Sequence, residues 1–272
     1  MSAMIVGAAL SLLIGVVLGM LGGGGAILTL PMLIYAIGVE PRAAIATSLF
    51  VVGSTAFVAM IVHARAGTVR WKIGGTFGLA AMAGAFTGGN LAALVPAGVL
   101  LVLFGLIMLV SAVAMLRGRK DSAEARPLAL GRALALGVGV GLLSGLVGAG
   151  GGFLIVPALV LFGGLQMREA IGTSLLVIGL QSFAGFAGHL GHVVLDWPLI
   201  AVVTVAAMVG SVVGAVTGKR VSPAALRRAF AWLVVAMGLY LISRQVPVAA
   251  TVAVAAATAV AIAIAIAESR KT

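Results

Sequence analysis

Long apolar runs alternate with short polar segments along almost the whole chain. Runs such as Leu100 to Leu116 and Val246 to Ala267 are close to the roughly 20 residues that a helix needs to cross a hydrocarbon core. A membrane-barrel strand would instead be about 10 residues of alternating polarity. We therefore predict helical spans over residues 5–21, 26–37, 43–62, 73–94, 97–116, 130–146, 152–162, 168–188, 197–218, 225–243 and 246–267.

Composition supports the same fold class. The 272 residues are 62% hydrophobic and 8% charged, with a mean hydropathy of +1.29, whereas a soluble domain carries about 25% charged residues. We predict an all-α integral membrane protein embedded in a lipid bilayer. The chain has no cysteine, which excludes disulfides and thiolate metal sites, and we expect neither a metal nor a cofactor.

The chain contains an internal duplication. A shift of 126 residues (145 − 19) places the segment Gly19 to Gly25 on Gly145 to Gly151, and Thr47-Ser48-Leu49 on Thr173-Ser174-Leu175. Agreement without a gap over about 50 residues indicates two copies of one unit. We predict a first repeat over residues 1–116, a linker over 117–132, a second repeat over 133–245, and an additional C-terminal helix and tail over 246–272.

The basic residues distinguish two topologies. If the chain turns back at each glycine cluster, each repeat makes three net crossings of the membrane and the second repeat is inverted. If the chain instead continues across the membrane as one bent crossing, each repeat makes four crossings and the two repeats are parallel. Turning back places 15 of the 17 basic residues on one side. Those residues are Arg65, Arg70, Lys72, Arg117, Arg119, Lys120, Arg126, Arg132, Arg168, Lys219, Arg220, Arg227, Arg228, Arg270 and Lys271. Because basic loops remain in the cytoplasm, we predict inverted repeats with the N-terminus outside and the C-terminus cytoplasmic. The net charge of +11 then needs no nucleic-acid partner.

A family pattern appears in both halves. Each repeat has a glycine cluster followed by a proline and then a Thr-Ser pair: Gly22 to Pro31 with Thr47-Ser48, and Gly148 to Pro157 with Thr173-Ser174. This pattern resembles the TauE/SafE family of sulfite and organosulfonate exporters and permeases, over roughly residues 5 to 243. The resemblance implies a carrier of small sulfur-containing anions in a bacterial or archaeal plasma membrane.

The glycine clusters are the first candidates for the substrate site. Free backbone N–H groups and the positive end of a following short helix attract anions, and transporters place such interrupted helices at the binding site. This reasoning selects Gly24, Gly25, Gly150, Gly151 and Gly152. Pro31 and Pro157 are expected near the first turns of the short helices. Close helix packing is the alternative, and it is the better reading for the pairs Gly15 and Gly19, Gly84 and Gly88, and Gly210 and Gly214.

Polar side chains inside the spans are the second candidates. The hydroxyls of Thr47, Ser48, Thr173 and Ser174 can donate to an oxyanion, or alternatively bond to carbonyls of their own helices. The amide of Gln181 can also contribute, although interhelical hydrogen bonding is an equal alternative for it and for Asn90. We expect the anion near the bilayer midplane, between the two glycine clusters.

Three function classes compete. A secondary transporter working by alternating access is preferred, with a channel-like anion pore or uniporter as the alternative. An intramembrane enzyme is disfavoured because the chain lacks zinc-protease, nucleophile-elbow and paired-aspartate motifs. The expected partners are a small anionic substrate and, as an open possibility, a second copy of the chain in a homodimer.

Overall fold

A computed structural model describes residues 2–92, 94–117, 130–147, 152–161 and 163–270, and every regular element in these ranges is helical. The helices are α1 (Ser2–Leu21), α2 (Gly24–Pro31), α3 (Pro41–Arg65), α4 (Trp71–Ala92), α5 (Ala97–Arg117), α6 (Leu130–Val147), α7 (Gly152–Leu161), α8 (Met167–His189), α9 (Trp197–Gly218), α10 (Pro223–Ser243) and α11 (Val248–Arg270). The all-α prediction is confirmed. Within the described ranges, five helices are long and apolar enough to cross a membrane.

Local sequence signals set several helix starts. The carboxylates of Glu40 and Asp196 accept from the backbone N–H groups of Ala43 and Leu199, each at 3.0 Å, and thereby cap α3 and α9. Both helices carry a proline in their first two positions, where its missing N–H is not needed. One helix in each repeat therefore has its start fixed by an aspartate or glutamate cap.

The two prolines after the glycine clusters do not lie where the sequence suggested. Pro31 is the last residue of α2, and a π-helical segment over Met32–Ile37 follows it. Pro157 lies inside α7. The expectation of first-turn positions is wrong, because the short helices begin directly at the glycines. A proline within a helix removes one backbone hydrogen bond, and the wider π turns accommodate the resulting distortion in the first repeat.

Helices of one repeat pack mainly on helices of the other. α1 lies against α9, and α4 lies against α6. These contacts use glycine: a Cβ on Gly15 would lie 2.1 Å from the carbonyl oxygen of Ala207, and one on Gly141 would lie 2.1 Å from that of Ala81. The two contacts are equivalent under the sequence repeat. Gly141 corresponds to Gly15 (15 + 126 = 141), and Ala81 corresponds to Ala207 (207 − 126 = 81). The packing interpretation of Gly15, Gly19, Gly84, Gly88, Gly210 and Gly214 is confirmed, since each approaches the backbone of a neighbouring helix.

Equivalent helices also pack on each other, and they run in opposite directions. In the α3–α8 pair, Gly53 faces the ring of Phe183 and Gly179 faces the ring of Phe57. The residue number therefore rises along α3 as it falls along α8. α5 and α10 are also antiparallel, because Gly98 faces Gln245 whereas Gly105 faces Ile242 and Gly238. Two pairs of equivalent helices are thus antiparallel in the bundle. These two helices are also the most buried of the five long apolar ones.

Candidate functional site

The first glycine cluster forms a tight turn that touches the opposite repeat. Gly22 has φ +71°, a left-handed conformation that favours glycine. A Cβ there would lie 2.7 Å from Ser174 Oγ and 3.3 Å from the backbone of Ile171. Gly24 and Gly25 are the first residues of α2, and Gly23, which precedes them, makes no side-chain cap. One of the predicted hydroxyls therefore contacts the turn two residues before the short helix begins.

The predicted hydroxyls are buried and engaged with backbone. Ser48 Oγ donates to the carbonyl of Ile45 at 3.0 Å, and Ser174 Oγ donates to that of Ile171 at 2.8 Å. Thr173 Oγ1 accepts from the backbone N–H of Arg70 at 2.9 Å, and Thr47 is buried beside Ser48. Bonding to the parent helix, the alternative named above, is what both serines do in this conformation. A serine that binds an anion must rotate its hydroxyl away from that carbonyl.

The structure separates the predicted residues into two groups. Thr55 in α3 and Gln181 in α8 lie at one level, because Phe57 faces Gly179 and Gly53 faces Ser182. Ser48 lies seven residues before Thr55, and Ser174 lies seven residues before Gln181. Since the helices are antiparallel, the serines lie on opposite sides of that level, separated by roughly 14 residues or about 20 Å of helix rise. The four hydroxyl residues therefore do not surround one central point.

The glycine turn lies towards one end of the bundle. The carbonyl oxygen of Gly19 is 3.2 Å from His63 Nε2, and Met20 contacts Gly218, the last residue of α9. His63 lies in the last turn of α3. α1 therefore runs the full height of its neighbours before the chain turns back. The turn therefore lies nearer to this end of the bundle than to the level at which Gly53 and Gly179 pack.

The remaining predicted residues take different places. Gly152 is the first residue of α7, whereas Gly150 and Gly151 lie outside the described residues. Gln181 is fully buried and lies at the level of Thr55. Asn90 is exposed and its amide donates to the carbonyl of Phe86 in its own helix. Of the two amides, only Gln181 lies in the interior.

Sequence reasoning missed the charged and aromatic contacts that join the repeats. Arg70 in the α3–α4 loop forms an ion pair with Glu169 in the first turn of α8. At the other end, Gln245 Nε2 donates to Tyr35 Oη at 3.2 Å, and Arg244 lies 5.0 Å from the centre of the Tyr35 ring. No spacing along the chain signals such pairs, because their partners are about 100 and 210 residues apart in sequence.

Comparisons with known proteins agree with this architecture. The model of the family described as "Sulfite exporter TauE/SafE" matches residues 7–241. The chain belongs to the TauE/SafE family. A probable membrane transporter protein of Xylella fastidiosa (strain 9a5c) is 37% identical over 240 residues, covering 85% of this chain and 92% of the relative. The probable membrane transporter protein YdhB of Bacillus subtilis (strain 168) is 32% identical over 209 residues, covering 75% and 85%. No solved structure matches.

Membership of the TauE/SafE family makes this chain a multi-pass membrane transporter. The match spans both repeats, including the turn at Gly22 and the Thr173-Ser174 pair. A bilayer is its environment, and a small substrate is what the family name implies.

Proposed function

We propose that this protein is a secondary transporter that moves sulfite, a sulfonate or a related small sulfur-containing oxyanion across a prokaryotic plasma membrane by alternating access. The TauE/SafE family name supports this substrate class. The observation that carries the proposal is the glycine turn at Gly22, which closes on Ser174 of the other repeat. A site shared between two repeats changes its exposure when the repeats move relative to each other.

We further propose that the repeats are inverted in the membrane, with the N-terminus outside and the C-terminus in the cytoplasm. The antiparallel packing of the equivalent helices α3 and α8 supports this arrangement, because a two-fold axis across two spanning helices lies in the membrane plane. The basic loops support it independently: Arg168 donates to the carbonyls of Lys219 and Val221, and Arg70 pairs with Glu169. Three segments predicted to be cytoplasmic thus meet at one end of the bundle.

The anion path follows the α3–α8 pair in this proposal. At the cytoplasmic end, the backbone N–H groups of Gly24 and Gly25 follow the turn at Gly22, which contacts Ser174, the neighbour of Thr173. By the sequence repeat, we assign the same role to Gly150, Gly151 and Gly152 together with Thr47 and Ser48. Gln181 lies between the two groups. A helix start offers about half a positive charge, so that it attracts an anion less strongly than a full buried cation would.

Counterflow in proteoliposomes tests the function. Labelled sulfite, sulfate, thiosulfate and sulfonates are offered outside, with and without the same unlabelled anion inside. Acceleration by the unlabelled anion is expected for a carrier. Transport that does not respond to the internal anion supports the pore alternative, and no transport of any of these anions rejects the proposed substrate class.

Ser174→Ala tests the site. We expect binding to weaken by about 1–2 kcal/mol, the contribution of a hydrogen bond to a charged group. Ser211→Ala is the matched control, because Ser211 is also buried and donates to the carbonyl of Met208 three residues earlier at 2.8 Å. Equal half-saturation concentrations for the two variants would exclude Ser174 from the site while leaving the transport function standing.

A further inference from the structure

An ion pair joins the two repeats at the cytoplasmic end of the proposed path. The guanidinium of Arg70 donates from both Nε and Nη2 to one oxygen, Oε1 of Glu169, with an Nε–Oε1 distance of 3.1 Å. The side chains are 56% and 21% exposed. The pair therefore lies at the surface of the bundle, where solvent and solutes reach the guanidinium.

The same arginine lies next to the proposed anion site. Its backbone N–H donates to Thr173 Oγ1, and the following residue, Ser174, faces the glycine turn at Gly22. Glu169 lies one helical turn before Thr173 on α8. An anion that moves between the cytoplasm and the turn at Gly22 therefore passes within reach of Arg70.

The fold itself does not require this ion pair. The repeat shift relates Arg70 to Asp196 and Glu169 to Ala43 (70 + 126 = 196; 169 − 126 = 43), and an aspartate and an alanine cannot form an ion pair. Asp196 instead caps α9. The second repeat therefore carries no counterpart of the Arg70–Glu169 pair at these two positions. The charge pair belongs to one end of the molecule and not to the repeated architecture.

The chemistry of the pair allows exchange of its anion. A guanidinium carries five N–H donors in a planar fork that fits oxyanions, and Glu169 engages it through a single oxygen. Exposed ion pairs are weakly held because water and salt compete for both charges. A sulfur oxyanion, which offers several acceptor oxygens, can therefore replace the carboxylate.

We propose that Arg70 is an anion-binding residue at the cytoplasmic mouth, where the substrate oxyanion displaces the Glu169 carboxylate before it reaches the turn at Gly22. This inference rests on the proposed transport of a sulfur oxyanion. Glu169 acts as an internal competitor: it holds the guanidinium in place when no substrate is present and lowers the apparent affinity for substrate.

The test is the half-saturation concentration for labelled sulfite in proteoliposomes. Arg70→Gln is expected to raise it about 10-fold, the lower end of what loss of a charged hydrogen-bond partner causes. Glu169→Gln is expected to lower it about 2- to 5-fold, the range set by a weak exposed pair. In Arg70→Gln/Glu169→Gln the effect of the second change should disappear. Lys72→Gln is the control, since Lys72 is an exposed cation two residues away, and less than a 2-fold change is expected.

A purely structural pair would give a different pattern. Both single variants would then lower the unfolding temperature and raise the half-saturation concentration together, and the exchanged pair Arg70→Glu/Glu169→Arg would restore both quantities. That pattern, or equal values for Arg70→Gln and Lys72→Gln, overturns the inference while sulfite counterflow by the wild-type protein still supports the proposed function. Absence of wild-type sulfite counterflow overturns both.

Discussion

Gly141→Ala should destabilise the protein strongly, whereas Gly139→Ala in the same helix should not. A Cβ on Gly141 would lie 2.1 Å from the carbonyl oxygen of Ala81 and 2.8 Å from the carbonyl carbon, whereas ordinary contacts begin at 3.4 Å. No atom of a neighbouring helix lies within 4 Å of the Cβ position at Gly139, which is exposed on α6. The two substitutions add the same methyl group to one helix, so that their difference isolates the contact with α4.

The magnitude follows from the overlap. Relief of a shortfall of about 1.3 Å (3.4 − 2.1) requires α4 and α6 to separate by roughly 1 Å, because both partners are backbone. A gap of that size removes about a quarter to a half of the dispersion energy of each neighbouring contact, and overpacking of this kind costs about 1–3 kcal/mol. Alanine is a better helix former than glycine by about 1 kcal/mol in water, which acts in favour of both variants equally.

Thermal unfolding in detergent, followed by the fluorescence of the three tryptophans, measures the effect. We expect Gly141→Ala to unfold at a clearly lower temperature than Gly139→Ala. Gly15→Ala should behave like Gly141→Ala, because its Cβ would lie 2.1 Å from the carbonyl oxygen of Ala207 in the equivalent place. Coincident unfolding curves for Gly141→Ala and Gly139→Ala would falsify the close α4–α6 contact, and a normal Gly15→Ala protein would contradict the equivalent contact between α1 and α9.

Three further predictions follow from the topology and from the contacts between the repeats. Alkaline phosphatase fused in the loops at 66–70 or 219–222 should be inactive, and a fluorescent protein fused there should be bright. After Gly38 we expect active phosphatase and a dark fluorescent protein. Active phosphatase in the loops at 66–70 and 219–222 rules out the inverted topology. His63→Ala should lower the free energy of unfolding by about 1–2 kcal/mol, since it removes the contact between Nε2 and the buried carbonyl of Gly19. His63→Gln retains a hydrogen-bond donor and should recover part of this loss in the same thermal-unfolding assay. Tyr35→Phe should lower the free energy of unfolding by about 0.5–1.5 kcal/mol through loss of the hydrogen bond from Gln245. Tyr35→Leu should lower it further, because this change also removes the ring under Arg244. Equal losses for the two variants would show that the ring contact contributes nothing.

The helices and the duplication could be read from the sequence alone. The boundaries expected from the apolar runs differ from those in the structure by at most three residues when α2 is taken together with the π-helical segment that follows it. The reason is physical: the thickness of the bilayer fixes the length of each apolar run, and prolines and capping carboxylates mark helix starts locally, as at Glu40 and Asp196. The repeat was visible because it is a property of the sequence itself. The choice of Ser174, Thr173 and the glycines as site candidates came from the same repetition.

Only the tertiary structure decided which repeat each residue faces and where along the helix axes of the bundle it lies. Gly22 lies against Ser174, 152 residues away along the chain, rather than against Ser48 of its own repeat. The sequence placed all four hydroxyl residues around one centre, but the antiparallel packing of α3 on α8 holds Ser48 and Ser174 about 20 Å apart along the helices. The pairing of Arg70 with Glu169 was equally hidden. Apolar runs and turn residues report local preferences, whereas the partner, direction and register of two helices depend on side-chain packing summed over their whole interface.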